Sequence, residues 1–322
     1  MKLVVENTLY GLLLYFLISE DIYNCKIFFL GNTSLKKIKN LFIIGKVDYK
    51  DNLFIYYYRV LKLNVYILYF ILKYKNIEFF GNDDLNYLSF FKCNNFYVLE
   101  DGIINYSFRK RRKKIQSILK EFVMLRNPFY IPFGYSKKAK KVYLTGLAPI
   151  PEKIKYKVEI INLKELWNKK SDFEKEQILN IFGFDKNIIN SIKNRKYILY
   201  TQPLSEDEIL LENEKIELYS KILKKYDKNC IVLKKHPREK TDYKKIFPNL
   251  EVMDQVFPAE LLSLLDIHFE KAITIFSTAA LTDEKIKVDF YGTEIHPKLF
   301  KRFGSQDAIM KRNAFLGEKE KK

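Results

Sequence analysis

Tyr197-Ile198-Leu199-Tyr200-Thr201 running into Gln202-Pro203-Leu204, and further on Cys230-Ile231-Val232-Leu233 running into Lys234-Lys235-His236-Pro237, are the stretches that decide the fold. Each is a short apolar run closed by turn residues, the pattern of a strand buried on both faces. Between them Ser205 opens a predicted helix, with Glu208 three residues on completing a capping box. Ile209, Ile216, Tyr219, Leu223 and Tyr226 give that helix one apolar face. Strand, helix, strand at this spacing implies a parallel α/β sheet. The pattern continues outward. Residues 250–253 read as a strand, 258–265 as a short helix and 272–276 as a fourth strand. Ser277-Thr278 then opens another helix, and 288–291 is a fifth strand.

The first half repeats the alternation less clearly. Residues 2–6 read as a strand, with Asn7 or Thr8 capping a helix that runs to about residue 20. Residues 25–30 form the next strand, closed by Gly31-Asn32. Then come a strand at 77–80, a short helix at 85–91, and a strand at 96–99 that meets Glu100-Asp101-Gly102. Residues 126–167 carry Pro128, Pro132, Pro149 and Pro151 without clear periodicity, and are expected to be irregular. Residues 171–194 read as helical. The predicted organisation is therefore an α/β protein of GT-B type, two Rossmann-like domains facing across a cleft, with domains at 1–170 and 171–322. No internal repeat supports this; element order does.

Composition narrows the function classes. The 322 residues are 48% hydrophobic and 16% aromatic, enough to bury two cores. Fifty-seven Lys and Arg against 39 Asp and Glu give a net charge of +18. Such an excess suits nucleic acid, an anionic membrane or an anionic substrate. A Lys-, Ile-, Asn- and Tyr-rich composition also arises from AT-rich coding alone. Three scattered cysteines, without a CxxC pair, argue against a disulfide framework or a thiolate zinc site, and the three histidines are equally dispersed. The apolar runs at 9–18 and 65–72 fall short of the ~20 residues of a membrane span. The first also lacks a basic lead-in and a small-residue cleavage site. A cytoplasmic protein is the expectation. The basic run Arg109 to Lys114, followed by Ile115, Ile118 and Leu119, is either a solvated helix end or a contact with an anionic membrane at the inner face.

Ligands of parallel α/β sheets bind at the carboxyl ends of the strands, where three polar groups are predicted to sit. Ser277-Thr278 at a helix start would offer N–H groups and hydroxyls to a phosphate, or be a plain helix cap. His236, behind two lysines and before Pro237 and Arg238, is placed to assist a phosphate leaving group, or is a surface histidine in a basic loop. A second dipeptide, His296-Pro297, reads as background. Asp101 could serve as general base to a sugar hydroxyl, with Gly102 permitting close approach, or be a solvated turn. Glu206-Asp207-Glu208 complements a helix dipole or supplies a rival carboxylate. No D-x-D triplet occurs, so metal-bridged nucleotide-sugar binding is not indicated.

In this order, Glu100-Asp101-Gly102, His236-Pro237-Arg238 and Phe276-Ser277-Thr278-Ala279-Ala280-Leu281-Thr282 resemble the short motifs of bacterial sialyltransferases. The likeness is to glycosyltransferase family 52, the lipooligosaccharide sialyltransferases. The resemblance implies CMP-sialic acid as donor, a glycan or glycolipid acceptor with a galactose-type hydroxyl, inversion at the anomeric carbon, and neither metal nor cofactor. His236 would be the acid assisting CMP departure, and Ser277 and Thr278 would bind the CMP phosphate. Asp101 is the favoured base, with Asp207 the rival because Leu204-Ser205 interrupt the match there. Glu100, Gly102, Gln202, Pro237 and Arg238 complete the expected substrate-binding set. The alternatives are a transferase of the same fold using another nucleotide sugar, and a basic nucleic-acid-binding protein, for which no motif is present. A homodimer is compatible with the sequence.

Overall fold

The computed structural model describes residues 1–22, 24–31, 35, 40–45, 52–85, 95–106, 122–123, 125–126, 130–281 and 286–305. The predicted helix at 85–91 and the basic run at 109–114 lie outside these, apart from Leu85. The chain divides into two compact units, Met1–Ile181 and Phe182–Lys322.

The first unit is built on a seven-stranded parallel sheet. Its strands are β1 (Lys2–Glu6), β2 (Cys25–Phe29), β3 (Leu41–Ile43), β4 (Glu78–Gly81), β5 (Phe96–Leu99), β6 (Ala139–Leu144) and β7 (Val158–Ile160). They lie in the order β3-β2-β1-β4-β5-β6-β7. The central strands are apolar on both faces, as a sheet covered on both sides requires. Helix α1 (Leu9–Ile18) starts where Thr8 Oγ1 accepts the Gly11 N–H at 3.0 Å. It is apolar on every side, and Leu12 through Phe16 are all buried. Helix α2 (Leu53–Lys73) is capped by Asn52, whose Oδ1 accepts from Phe54 and Ile55. Its Tyr56, Val60, Leu63, Ile67 and Phe70 pack into the core with Leu3, Val5, Phe28 and Phe79.

The expectation of irregular structure over 126–167 is corrected. β6, β7 and helix α3 (Leu163–Lys169) lie there, and α4 (Asp172–Ile181) follows. These strands approach the sheet edge, so their apolar runs are short. Just before β7, Lys157 is buried, its Nζ donating to Ser136 O at 2.8 Å.

Gly81 ends β4 with φ +140°, and a Cβ there would meet Val5 O at 2.0 Å. No flexible side chain can yield at that contact. Gly81→Ala is expected to destabilise the first unit by on the order of 3 kcal/mol or more, read as a lowered urea midpoint. An unchanged midpoint would show that β1 and β4 separate freely.

The second unit carries a five-stranded parallel sheet of β8 (Tyr197–Tyr200), β9 (Ile231–Lys234), β10 (Glu251–Met253), β11 (Lys271–Thr274) and β12 (Lys287–Phe290). The order is β10-β9-β8-β11-β12. Its helices are α5 (Asn187–Ile192), α6 (Glu212–Leu223), α7 (Tyr243–Ile246), α8 (Glu260–Leu264) and α9 (Pro297–Phe303). The predicted helix start at Ser205 is corrected. Residues 204–210 form turns, with Glu208 at φ +59°, and α6 begins after Leu211, whose N–H donates to Glu214 Oε2 at 2.8 Å. Glu206, expected in a first helical turn, is instead bound by Lys215 and by the Lys240 N–H. The buried stripe of α6 is accordingly Leu218, Tyr219, Ile222 and Leu223.

Both sheets reverse direction beside their first strand, in the first unit between β1 and β4 and in the second between β8 and β11. Such a switch point opens a crevice at the carboxyl ends of the two strands.

Candidate functional site

In the first unit, β1 ends on Glu6, Asn82-Asp83 follow β4 and Glu100-Asp101 follow β5. Asp101 is held at both ends: its N–H donates to buried Asn105 Oδ1 at 2.6 Å, and its Oδ2 accepts from Asn82 Nδ2 at 2.8 Å. Burial pushes its carboxyl up to about 7, opposed by the Asn82 hydrogen bond and reinforced by Asp84, Asp83 and Glu100. A carboxyl poised there is half ionised at neutral pH, the condition for a general base. Gly102, at φ +78°, turns the chain away immediately afterwards.

Glu100 does different work from the substrate contact expected of it. Tyr10, Tyr106 and the Thr145 N–H and hydroxyl all donate to its two oxygens, at 2.5–2.8 Å. It is buried, with its acceptor capacity filled by protein. It anchors the loop that carries Asp101.

Three residues of this cluster were not singled out from the sequence. Asp83 is fully buried and accepts from the Phe133 and Gly134 N–H groups and from Tyr130; burial pushes it up to about 7 against those bonds. Burial also raises Glu6 well above the usual carboxylate range, with Asp101 adding to the rise. Asn82 ties to both neighbours, its backbone to Glu6 and its side chain to Asp101. Glu6 ends a predicted strand and Asn82-Asp83 come just after another, so the rule that selected Asp101 would have found them.

In the second unit the predicted residues follow three adjacent strands. Gln202 follows β8, His236 follows β9 and Ser277 follows β11. Gln202 spans the switch point, its Oε1 accepting the Phe276 N–H at 3.2 Å while its own N–H donates to Tyr219 Oη at 2.7 Å. The turn beyond is shaped by hydroxyls: Thr274 Oγ1 accepts the Ser277 N–H at 2.9 Å, and Ser277 Oγ accepts the Ala279 N–H at 3.3 Å. Thr278–Leu281 form a 3-10 turn where a helix start is expected; residues 282–285 lie outside the described residues.

His236 donates its backbone N–H to Glu239 Oε2 at 2.9 Å, and its ring Nδ1 accepts the Arg238 N–H at 3.1 Å. That bond leaves the ring proton on Nε2. Burial, with Arg238 and Lys234 adding positive charge, pushes His236 down to about 3. The imidazole is therefore neutral before any anion arrives, and a phosphate beside it would favour the charged form. His296 makes the same local turn, its Nδ1 accepting the Lys298 N–H at 3.2 Å at the start of α9. The His-Pro turn is thus a local motif; the strand end and the neighbouring cations distinguish His236.

The two expected residues Arg238 and Asp207 meet each other. The guanidinium grips the carboxylate in bidentate fashion at 2.5 and 3.0 Å. Glu239 holds the loop from below, accepting from Thr201, Tyr243 and the His236 N–H. Lys215, fully buried, lies 3.0 Å from Glu206, 3.1 Å from Glu212 and 3.8 Å from Glu239. Lys234 is buried too, its Nζ 4.1 Å from the Phe257 ring centroid and donating to Gln255 O, and burial lowers it to about 7. Lys215 and Glu239 escaped sequence reading because only the fold gathers their partners.

Two parallel sheets, each with polar groups gathered at its switch point, are the architecture of the GT-B fold. The solved structures agree at the level of fold. A Photobacterium damselae sialyltransferase GT-B domain matches with TM-score 0.55 and 12% identity over 90% of both chains. A Photobacterium 2,6-sialyltransferase solved with CMP and lactose matches with TM-score 0.58 and 12% identity, over 90% of this chain and 70% of that one. A Methanocaldococcus jannaschii UDP-GlcNAc 2-epimerase bound to UDP-GlcNAc and UDP matches with TM-score 0.51 and 16% identity, over 87% and 80%. An uncharacterised protein of Haemophilus influenzae is 43% identical over 91% of this chain and 95% of its own. The family model of glycosyltransferase family 52 matches residues 14–299, and the chain belongs to that family.

Proposed function

We propose that this glycosyltransferase moves sialic acid from CMP-sialic acid to a galactose-type hydroxyl of a glycan or glycolipid, with inversion and without a metal. The observation that carries the reading is the array at the carboxyl ends of β9, β8 and β11 in a family 52 chain. There a neutral histidine with its proton on Nε2 follows one strand, and a hydroxyl-lined turn follows another. That set suits a phosphate leaving group. His236 Nε2–H donates to the departing CMP phosphate oxygen, and as negative charge develops there the imidazole's affinity for its proton rises. Ser277 and Thr278 bind the phosphate, with Pro237, Arg238 and Gln202 shaping their surroundings. Asp101 takes the proton of the acceptor hydroxyl as that oxygen bonds to the anomeric carbon and the bond to CMP breaks. Asp101 is preferred over Asp207 because Asp207 has both oxygens engaged by Arg238. The reaction is placed on the cytoplasmic side, where nucleotide sugars are made.

A second reading, another nucleotide sugar on the same fold, draws support from the likeness to the UDP-GlcNAc epimerase. Two measurements separate the readings. CMP is expected to raise the melting temperature where UDP and GDP at equal concentration do not. Incubation with CMP-sialic acid and galactose-terminated acceptors is expected to yield a product heavier by one sialyl residue. His236→Ala is expected to slow that reaction by ~10²–10⁴-fold. Stabilisation by UDP alone, with no sialylated product, would overturn the donor assignment.

A further inference from the structure

Helix α2 has a second apolar face that the core does not use. Phe54, Tyr58, Leu61, Val65, Tyr69 and Leu72 are all exposed, Phe54 and Leu72 at 81%. At 3.6 residues per turn these six fall within one arc of about 80°, along roughly 27 Å of helix axis. The patch extends past the helix: Tyr57 Oη donates to Val123 O at 2.8 Å, and Val123 and Phe122 are themselves exposed. A soluble surface seldom leaves so continuous an apolar strip to water.

The charge around the strip has one sign. Residues 53–77 contain no Asp or Glu, and they carry Arg59, Lys62, Lys73 and Lys75. Lys62 and Lys73 lie along one margin of the strip, their ammonium groups 5.8 Å and 5.5 Å from the ring centroids of Tyr58 and Tyr69. Apolar side chains, amphipathic tyrosines and lysines on a common edge match the layers of a bilayer surface, from acyl boundary to headgroup phosphate.

We propose that the outward face of α2 docks this protein on an anionic lipid bilayer, with α2 lying in the interface. No described helix is long and apolar enough to cross a membrane. A second copy of the chain fits the face less well, because a two-fold contact would bring two acid-free, basic helices together. The proposal involves residues far in sequence from the basic run at 109–114. It does not rest on the sugar-transfer reading, and its test needs neither CMP nor an acceptor.

The test uses the full chain with vesicles of phosphatidylethanolamine and phosphatidylglycerol, and with vesicles of phosphatidylcholine alone. Co-sedimentation is expected with the anionic vesicles, weakening as salt rises. The triple variant F54S/V65S/L72S, altered only at exposed positions, is expected to bind at least ten-fold more weakly. Lys62→Glu with Lys73→Glu is expected to lose the preference for anionic lipid. Leu72→Trp supplies a reporter independent of those variants. The only native tryptophan, Trp167, is buried, so a blue shift of the new emission on adding vesicles reports insertion at that position. Three results would each overturn the proposal: undiminished binding by the triple variant, equal binding to neutral and anionic vesicles, or no vesicle binding together with a dimer that the triple variant dissociates.

Discussion

Asp101→Asn is expected to reduce sialyl transfer by ~10²–10⁴-fold while leaving the fold and CMP binding intact. Asparagine matches aspartate in shape, and its amide oxygen can still accept from Asn82 Nδ2, so the loop between β5 and the Gly102 turn stays in place. What disappears is a carboxylate able to take a proton. The sign of the pH dependence follows from the raised Asp101 value of about 7. The base works ionised, so native activity should fall as pH drops through 7, roughly ten-fold per unit once the acid form dominates. The residual activity of Asp101→Asn should lack that limb. Asp207→Asn provides the contrast. It loosens the grip on Arg238 and should alter donor KM more than kcat. If Asp101→Asn stayed within a few-fold of native while Asp207→Asn lost its turnover, the two roles would be reversed.

Lys215→Met is expected to cost the second unit ~3–5 kcal/mol at pH 7, the usual penalty for stripping one partner from a buried ionic cluster. Methionine fills the volume of the aliphatic stem but leaves Glu206, Glu212 and Glu239 without their common counter-ion. Against burial, which raises them, hydrogen bonds and Lys215 together hold Glu206 and Glu212 below the usual carboxylate range. Such groups add stability above their unfolded-state pKa and lose it as pH falls through the folded one. Without Lys215 that contribution shrinks to what the Lys240 N–H, Ser205 and Thr241 still supply, and the carboxyls of the variant become easier to protonate. The gap between variant and native should therefore be widest near neutrality and shrink towards pH 4. Urea midpoints by circular dichroism across that range would measure it. A gap that stayed constant with pH would mean that Lys215 contributes packing and no charge. Because Glu239 accepts the His236 N–H, the same variant should also lose activity under conditions where it remains folded.

The sequence made the strands more legible than what lies between them. β1, β2, β5, β8, β9 and β11 are apolar runs closed by turn residues, and each falls within a residue or two of its expected position. β3, with three residues, and β6 and β7, with lysines and glutamates among few apolar positions, carry too little signal to stand out. Helix α2 was hidden for the opposite reason. Apolar on its core side and its solvent side alike, it shows no clear 3.6-residue period. The false helix start at Ser205 arose because Ser205 and Glu208 match a capping box in one dimension, whereas in the fold this stretch turns, with Glu206 paired to Lys215 and Asp207 to Arg238. At the site, Asp101, His236 and Ser277 could be found because strand ends could be found. Glu100 belonged to the same motif, yet its role as an anchor depends on Tyr10 and Thr145, distant in sequence on either side.

The Arg238–Asp207 pair sets a threshold for whatever binds beside it. A tethered carboxylate presents itself to the guanidinium at an effective concentration on the order of millimolar. Inorganic phosphate or sulfate must outcompete that internal ligand with nothing but charge to offer. A ligand that also engages neighbouring groups has further binding energy with which to displace Asp207. If Arg238 binds substrate as proposed, the pair would act as a filter against stray anions.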